Sequence, residues 1–505
     1  MKSLHLLITS LGIASLAMAE ITVDQAYDSH MVLPQGKKVP ITGTSTEKTP
    51  LTISFDGQSV QAKPDAKGKW IAYLAPMKVN AKGQTLTIKQ GNDTKSLEDI
   101  LVGEVWLASG QSNMMWRLNQ TPSGKQNIPQ AGNDQLRILN KVAQVHTAGS
   151  AYKDTDLEKL TPEKFYTGTW AVSSPQSAAP TSAVAYYTAK NLQEALKVPV
   201  GIIHCSLGGS EMAAWFPSET SKSQASLKSL RGNDWLKSDL LSPWVKLRSN
   251  QNIGQYVKKG KPMHPFKPGF LFDSGIKQFT NLPISGVIWY QGESDAESRD
   301  NKQLMMLLNT LVSSWEKEFK NPQLPFVMVQ LPRINDKAAI RACWPEFREA
   351  QQQIADQKNN VYCVNTIDLG STNSDVHPPE KLEVSKRLSN TILSNVYKKK
   401  APHAGPSLKN MKIKGNKVYL QFDHAKGLST TDDSSPKLFE IAGGDGEYKP
   451  AQATIQKPDI IILESDEVKT PKHVRYAWAT FVEPNLVNGE NLPANQFRSD
   501  APKTK

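Results

Sequence analysis

The chain has 505 residues, 38% of them hydrophobic and 21% charged, and its formal net charge at pH 7 is +12. A chain of this length is too long for a single hydrophobic core, so two or three globular domains are predicted. The basic residues are dispersed and no nucleic-acid-binding motif accompanies them. This pattern favours a solvated basic surface and predicts no nucleic-acid partner.

The N-terminus has the pattern of a cleavable leader. Lys2 precedes an apolar stretch at residues 4–16, and residues 17–19 (AMA) form a small-x-small cleavage site. We therefore expect residues 1–19 to be a signal peptide and the protein to be secreted or periplasmic. The stretch is shorter than the roughly 20 apolar residues of a transmembrane helix, so no membrane span is predicted.

The cysteines indicate neither a metal site nor a disulfide framework. Cys205 and Cys363 lie in apolar runs, which favours buried free thiols. With Cys343 the chain has three cysteines, so a disulfide would leave one cysteine unpaired. The sequence has no CxxC pair and no HExxH motif. We therefore expect no metal ligands and no metal or organic cofactor.

Residues 20–99 alternate short strand-like runs with turn signals such as Asp56-Gly57, and no helical period appears. This predicts a small N-terminal β domain, sandwich-like in architecture. The runs are 39–42, 51–55, 70–74 and 85–88.

Residues 100–400 alternate strands and helices, which predicts an α/β domain built on a parallel sheet with helices on both faces. The expected strands are 100–107, 200–205, 287–290, 326–330 and 361–367. The expected helices are 183–196, 304–319 with Asp300 as a cap, 347–354, and one starting after Pro378-Pro379. Residues 215–272 are rich in Ser, Lys, Pro and Trp and are predicted to be an insertion near the site.

From about residue 401 to 505 the pattern is β again, which predicts a C-terminal β domain. Its expected strands are 418–422, 438–441, 460–463 and 474–478.

The most informative motif is residues 110–114 (GQSNM), directly after the buried strand 100–107. Gly110 permits a sharp exit from the sheet, because glycine carries no steric penalty there. Ser112 then lies at the carboxyl end of a strand, where open α/β sheets bind their ligands.

Three further strand ends carry polar residues, and in a parallel sheet all four ends open on one edge. These residues are Gly208 and Gly209 after strand 200–205, Gln291 and Glu293 after 287–290, and Asp375 and His377 after 361–367. Acyl transfer needs a nucleophile, a base and oxyanion donors. Ser112, His377, and the Gly209 N–H with the Asn113 or Gln291 amide can supply that set.

Two alternatives arise from the same loops. Residues 204–208 (HCSLG) nearly match the G-x-S-x-G nucleophile motif, which makes Ser206 a rival nucleophile, although the first glycine is missing. Glu293 and Asp295 could suggest a glycosidase pair, but two carboxylates from one loop rarely flank a scissile bond.

Residues 110–114, 208–215 (GGSEMAAW), 289–294 (WYQGES) and 375–378 (DVHP) together resemble the sialate O-acetylesterase family of the SGNH hydrolases. The resemblance runs from about residue 22 to 500. It implies a flavodoxin-like three-layer SGNH hydrolase domain, a serine esterase mechanism, and the removal of O-acetyl groups from sugars.

By this resemblance Ser112 is the nucleophile, His377 the base and Asp375 its orienting acid. Gly209 and the Gln291 side chain would line the oxyanion hole, with Gly208 and Glu293 supporting them. Many SGNH enzymes carry the acid three residues before the histidine, where this chain has Ser374, so Glu293 stays an alternative acid. The family also often has a glutamate where this chain has Ala213.

The sequence therefore predicts a secreted carbohydrate O-acetylesterase whose partners are O-acetylated glycans. The alternatives are an acetyl xylan or pectin esterase and a non-catalytic glycan-binding protein. The sequence gives no indication of the oligomeric state.

Overall fold

The computed structural model describes residues 20–260, 263–297, 299–338 and 341–500, and the predicted leader, residues 1–19, lies outside them. The N-terminal part is built from strands, as the alternating pattern predicts. These are β1 (Ile21–Val23), β2 (Val32–Pro34), β3 (Val39–Ser45), β4 (Leu51–Phe55), β5 (Gln58–Ala62), β6 (Lys69–Leu74) and β7 (Asn80–Gln90).

The central part alternates strands and helices. Its strands are β8 (Asp93–Gly110), β9 (Asn133–Ala143), β10 (Tyr166–Thr167), β11 (Trp170–Ser173), β12 (Val200–Ser206), β13 (Gly286–Tyr290), β14 (Phe326–Val329) and β15 (Val361–Val364). Its α-helices are α1 (Ser112–Met115), α2 (Pro122–Asn127), α3 (Asp154–Leu157), α4 (Pro175–Ala178), α5 (Ala183–Leu196), α6 (Ser218–Ser223), α7 (Pro243–Val257), α8 (Asn301–Glu318), α9 (Trp344–Gln357) and α10 (Leu382–Asn395).

The central strands form one large sheet in the order β9-β12-β8-β13-β14-β15, and every neighbouring pair in that run is parallel. The predicted α/β arrangement is confirmed. The complete sheet is mixed rather than wholly parallel, because β10 and β11 pair antiparallel with β9, and β7 pairs antiparallel with β8.

Helices cover both faces of the parallel run, since consecutive strand residues point to opposite sides. Trp106 and Ile288 pack with residues of α5 and α10 on one face. Leu107 and Val287 pack with residues of α8 and α9 on the other. The strands are buried on both faces, which explains why they are continuous apolar runs in the sequence.

Strand β8 crosses the boundary predicted at residues 99 and 100. Its first half pairs with β7 and its second half with β12 and β13, so the N-terminal sheet and the central sheet share one continuous strand. Residues 20–99 are therefore continuous with the central sheet.

Most predicted helices lie where the periodicity places them. Helix α5 has the predicted bounds, and the Asp300 side chain caps α8 by accepting a hydrogen bond from the Gln303 N–H at 2.8 Å. The last helix, α10, begins after Lys381 rather than at Pro378-Pro379, so the prolines belong to the loop before it. Strand β9 was absent from the prediction.

The C-terminal part is β-rich, as predicted. Its strands are β16 (Ser407–Lys414), β17 (Lys417–Asp423), β18 (Ser429–Thr430), β19 (Phe439–Ala442), β20 (Tyr448–Pro450), β21 (Gln452–Gln456), β22 (Ile460–Glu464), β23 (His473–Tyr476), β24 (Leu486–Val487) and β25 (Phe497–Arg498). The buried Arg348 of α9 fastens this part to the central sheet by donating to the carbonyls of Ala479 and Thr480, at 2.9 and 3.0 Å.

The three cysteines are unpaired; Cys205 is buried, whereas Cys343 and Cys363 are partly exposed. Cys363 is thus more accessible than its apolar neighbours predict. In the described ranges, no His, Cys, Asp and Glu side chains form a group of three placed to hold a metal ion. Within those ranges, no helix is both long and apolar enough to cross a membrane.

Candidate active site

Ser112 lies at the point where β8 leaves the sheet. Gly110 ends the strand with φ of +141°, and a Cβ atom there would lie 2.1 Å from the carbonyl oxygen of Tyr290 on β13. Only glycine fits both the backbone conformation and this close approach. The next residue, Gln111, donates its N–H to the same Tyr290 oxygen at 3.0 Å, and Ser112 then opens the short helix α1.

His377 reaches Ser112 from the loop between β15 and α10. Its Nε2 lies 2.8 Å from Ser112 Oγ, and its Nδ1 lies 3.2 Å from Asp375 Oδ1. Asp375 Oδ1 also accepts the backbone N–H of His377 at 2.9 Å, which closes a tight turn. That turn is how a carboxylate only two residues away comes to face the imidazole, instead of pointing to the opposite side as in an extended strand.

The His377 ring stacks on Trp116, which lies just beyond α1. The ring centroids are 5.3 Å apart and the planes differ by 17°. The stacked indole ring therefore limits rotation of the imidazole.

Ser112 and His377 open into a cavity of about 460 Å³. Loops from several strand ends line it, as the parallel sheet predicts. The lining residues are Gln111, Ser112, His146, Thr147, Ala148, Gly208, Gly209, Trp244, Glu293, Ser294, Glu297, Arg341, Val376 and His377. Trp244, which lies within residues 215–272, lines the cavity. Asn113, Gln291 and Asp375 do not line the cavity.

The glycine pair after β12 lies beside the serine. A Cβ atom on Gly208 would lie 3.7 Å from Ser112 Cβ, and one on Gly209 would clash with the Trp244 ring at 2.3 Å. Gly209 also has φ of +73°, which disfavours any side chain. In the described part of the chain, neither the Ser112 N–H nor the Gly209 N–H donates to a protein acceptor. Both hydrogens are therefore free for a ligand.

The two side-chain amides expected at the oxyanion are occupied. The Asn113 amide nitrogen donates to Glu293 and, at 2.9 Å, to the Val376 carbonyl. The Gln291 amide nitrogen donates to Asp295 and, at 3.2 Å, to the Ser210 carbonyl. An amide has only two hydrogens, so neither side chain has a donor left. Buried polar neighbours hold both groups in this arrangement, so the oxyanion role of the two amides stays a prediction.

The geometry also bears on which acid serves His377. Glu293 is buried, one of its oxygens accepts from Asn113, and the other has no partner in the described residues. Burial raises the pKa of the Glu293 carboxyl, whereas the nearby His377 and Lys381 act to lower it. The structure brings Asp375, and not Glu293, within hydrogen-bond distance of His377.

A second serine–histidine pair lies on β12. His204 Nε2 is 2.7 Å from Ser206 Oγ, and its Nδ1 is 2.7 Å from Asn140 Oδ1. Both side chains are buried and neither lines the cavity. Burial lowers the pKa of His204 to about 3, so this imidazole is neutral at ordinary pH. Ser206 thus has a base but no substrate access.

Sequence reasoning missed a buried ion network behind the site. Arg299 donates to Glu211 at 2.8 Å and to Asp295 at 2.7 Å, and all three side chains are buried. Burial raises the pKa of both carboxyls, and the guanidinium between them opposes that shift. Asp295 accepts the Met212 N–H, which ties the loop after β13 to the loop after β12. This occupation also argues against a Glu293–Asp295 glycosidase pair.

Comparisons with known proteins agree with an esterase. A family model described as carbohydrate esterase, sialic acid-specific acetylesterase, matches residues 254–394. The mouse sialate O-acetylesterase is 24% identical over 496 residues, covering 90% of this chain and 88% of that protein. The human sialate O-acetylesterase is 24% identical, covering 85% of this chain and 80% of that protein.

Among solved structures, a carbohydrate acetylesterase from Xanthomonas citri superimposes with a TM-score of 0.79 and 27% identity. The match covers 95% of this chain and all of that one. With the site geometry, these likenesses define the class of protein: the chain is a carbohydrate esterase. Its sequence and fold are similar to those of the sialate O-acetylesterase family.

The occupied amide of Gln291 gives a testable expectation. Gln291→Ala should lower the turnover of 4-nitrophenyl acetate by less than about 10-fold, whereas losing an oxyanion donor typically costs about 10²- to 10³-fold. It should lower the free energy of unfolding by about 1–3 kcal/mol, because Ser210 and Asp295 lose a buried donor. Steady-state kinetics and urea unfolding measure the two effects. A thousandfold loss of turnover with unchanged stability would restore the oxyanion role.

Proposed function

We propose that this chain is a serine-type O-acetylesterase of glycans, with Ser112 as nucleophile, His377 as base and Asp375 as the acid that orients His377. The proposal rests on the 2.8 Å contact between Ser112 Oγ and His377 Nε2 beside an open cavity. Because the Asp375 carboxylate can only accept, the hydrogen lies on Nδ1 and Nε2 has a lone pair for the serine proton.

In the proposed reaction Ser112 Oγ attacks the acetyl carbonyl carbon while His377 Nε2 takes the hydroxyl proton. The tetrahedral intermediate then collapses, the sugar oxygen leaves with that proton, and an acetyl-serine ester stays on the enzyme. Water attacks this ester with His377 again acting as base. Acetate leaves, and the proton returns to Ser112.

The developing negative charge on the acetyl oxygen needs donors that do not move during the reaction. The free N–H groups of Ser112 and Gly209 support a backbone oxyanion hole. Gly208, packed against Ser112, would support the same turn.

We further propose an SGNH hydrolase domain at residues 100–400, flanked by β regions at 20–99 and 401–505. The parallel run of strands, with site residues at one edge, supports it. We also propose that the protein is exported, on the leader pattern of residues 1–19 alone.

For the substrate, we propose an O-acetylated sialic acid. The curated relatives carry sialate in their names, and Arg341 lines the cavity. Arg341 Nε donates to Asp336 and one of its Nη groups donates to the Glu293 carbonyl, both at 3.3 Å. The remaining guanidinium hydrogens can meet a sugar carboxylate, which guanidinium groups bind in preference to neutral acceptors.

The nucleophile is tested by two serine substitutions. Ser112→Ala should remove nearly all turnover of 4-nitrophenyl acetate, a loss of about 10⁶-fold where the triad acts as a unit. Ser206→Ala is the matched control, because Ser206 also contacts a histidine but has no access to the cavity. It should retain turnover within about 10-fold. A reversed outcome would assign the nucleophile to Ser206.

The acid is tested by Asp375→Asn and Glu293→Gln. Asp375→Asn should lower turnover by up to about 10⁴-fold, because the histidine loses the carboxylate that fixes its tautomer. Glu293→Gln should cost far less, since Glu293 does not contact His377. Turnover of both variants should be compared with His377→Ala. If Glu293→Gln lost most of its turnover while Asp375→Asn kept its turnover, Glu293 would be the acid.

The substrate is tested by acetate release from an O-acetylated sialic acid, acetylated xylan and acetylated pectin, with Ser112→Ala as blank. We expect the highest kcat/KM on the sialic acid. Arg341→Gln should raise KM for it by at least about 10-fold, since hydrogen bonds to charged groups contribute about 1.5–3 kcal/mol. Faster release from xylan would contradict a charged substrate, and faster release from pectin would assign a uronate polymer instead.

A further inference from the structure

The two peptide carbonyls on either side of His377 are both held by buried side chains. The Val376 carbonyl accepts from the Asn113 amide at 2.9 Å, and the Pro378 carbonyl accepts from Lys381 Nζ at 2.6 Å. Further out, residues 372–375 are exposed, and Asn335 donates its N–H to the Asn373 carbonyl at 3.1 Å and its amide to the Thr372 carbonyl at 3.0 Å. The backbone around the base is therefore fixed from inside the protein.

The two donors are also joined to each other. Lys381 Nζ donates to Asn113 Oδ1 at 2.7 Å, and the second hydrogen of the Asn113 amide goes to Glu293. This fixes which way the amide points, because its oxygen accepts from Lys381 and both of its hydrogens are donated. Asn113 is the residue directly after Ser112, so a chain of bonds runs from the nucleophile's helix to both sides of His377.

We propose that Asn113 and Lys381 form a buried clamp that holds His377 at reacting distance from Ser112, so that both are positioning residues of the esterase. This inference rests on the proposed roles of Ser112 and His377. Neither clamp residue lines the cavity, and neither contacts the Ser112 hydroxyl. They act through the loop backbone.

The burial of Lys381 supports a functional reason for the clamp. Its side chain is fully buried, and burial lowers the pKa of Lys381 to about 7 against the opposing effect of Glu293, Glu380 and Asp375. Burying an amine is unfavourable unless its hydrogens find partners. The fold accepts that cost beside the base loop, and a displacement of about 1 Å in such a site can cost 10²-fold in rate.

The test is Lys381→Met, which keeps the length of the side chain but removes its hydrogen bonds. With 4-nitrophenyl acetate, we expect kcat to fall by about 10²-fold with KM within about twofold. Asn113→Leu should behave alike, and the double variant should be no worse than the more severe single one, because the two act as one unit. The matched control is Lys141→Met, another buried lysine, on β9 and outside the cavity lining. It should keep its kcat.

Several outcomes would overturn the clamp. These are an unchanged kcat in folded Lys381→Met, a higher KM with unchanged kcat, additive losses in the double variant, or an equal loss in Lys141→Met. If circular dichroism shows that Lys381→Met does not fold, Asn113→Leu and Asn113→Asp test the clamp instead. A lower kcat with nearly unchanged KM would support it, and an unchanged kcat would overturn it. If Ser112→Ala stayed active, the proposed serine mechanism itself would be overturned. Failure of the clamp and failure of the proposed function are therefore distinguishable.

Discussion

The arrangement of the site depends on the parallel pairing of β8 between β12 and β13. Its register sets Gly110 opposite Ser206 on one side and opposite Tyr290 on the other. The three strands β8, β12 and β13 therefore end side by side at the same edge of the sheet. The close approach of Gly110 to the Tyr290 carbonyl leaves no room for a side chain. Because Gly110 lacks a side chain, the strands can stay paired up to Gly110, two residues before Ser112. The residues that follow these ends therefore meet around one cavity.

Beneath that cavity, two buried polar networks hold two different loops. Arg299, Glu211 and Asp295 connect the loop after β12 with the loop after β13. Asn113 and Lys381 hold the loop that carries His377. Buried charges contribute little net stability when paired and are costly when unpaired, so their concentration at one edge of the sheet is better explained by the geometry they impose.

The sequence predicts much of the fold because the central strands are buried on both faces and form continuous apolar runs. Strand β9 was missed because polar residues such as Arg137 and Lys141 interrupt it. Ser112, Gly209 and His377 could be placed at the site from strand ends alone. The orientation of Gln291 could not, because a strand end gives the position of a side chain and not its partner. Lys381 gave no signal, since nothing in the sequence marks a buried lysine.

The exposure of Asp375 gives the clamp its physical meaning. The Asp375 side chain is 58% exposed, so water and salt screen its attraction to His377, and exposed ion pairs hold their partners only weakly. A carboxylate in that position can select the imidazole tautomer but is a poor restraint on where the ring lies. The buried bonds to the Val376 and Pro378 carbonyls are not screened in this way. The exposed Asp375 carboxylate thus fixes which imidazole nitrogen carries the proton, whereas the buried Asn113 amide and Lys381 amine fix where the ring lies.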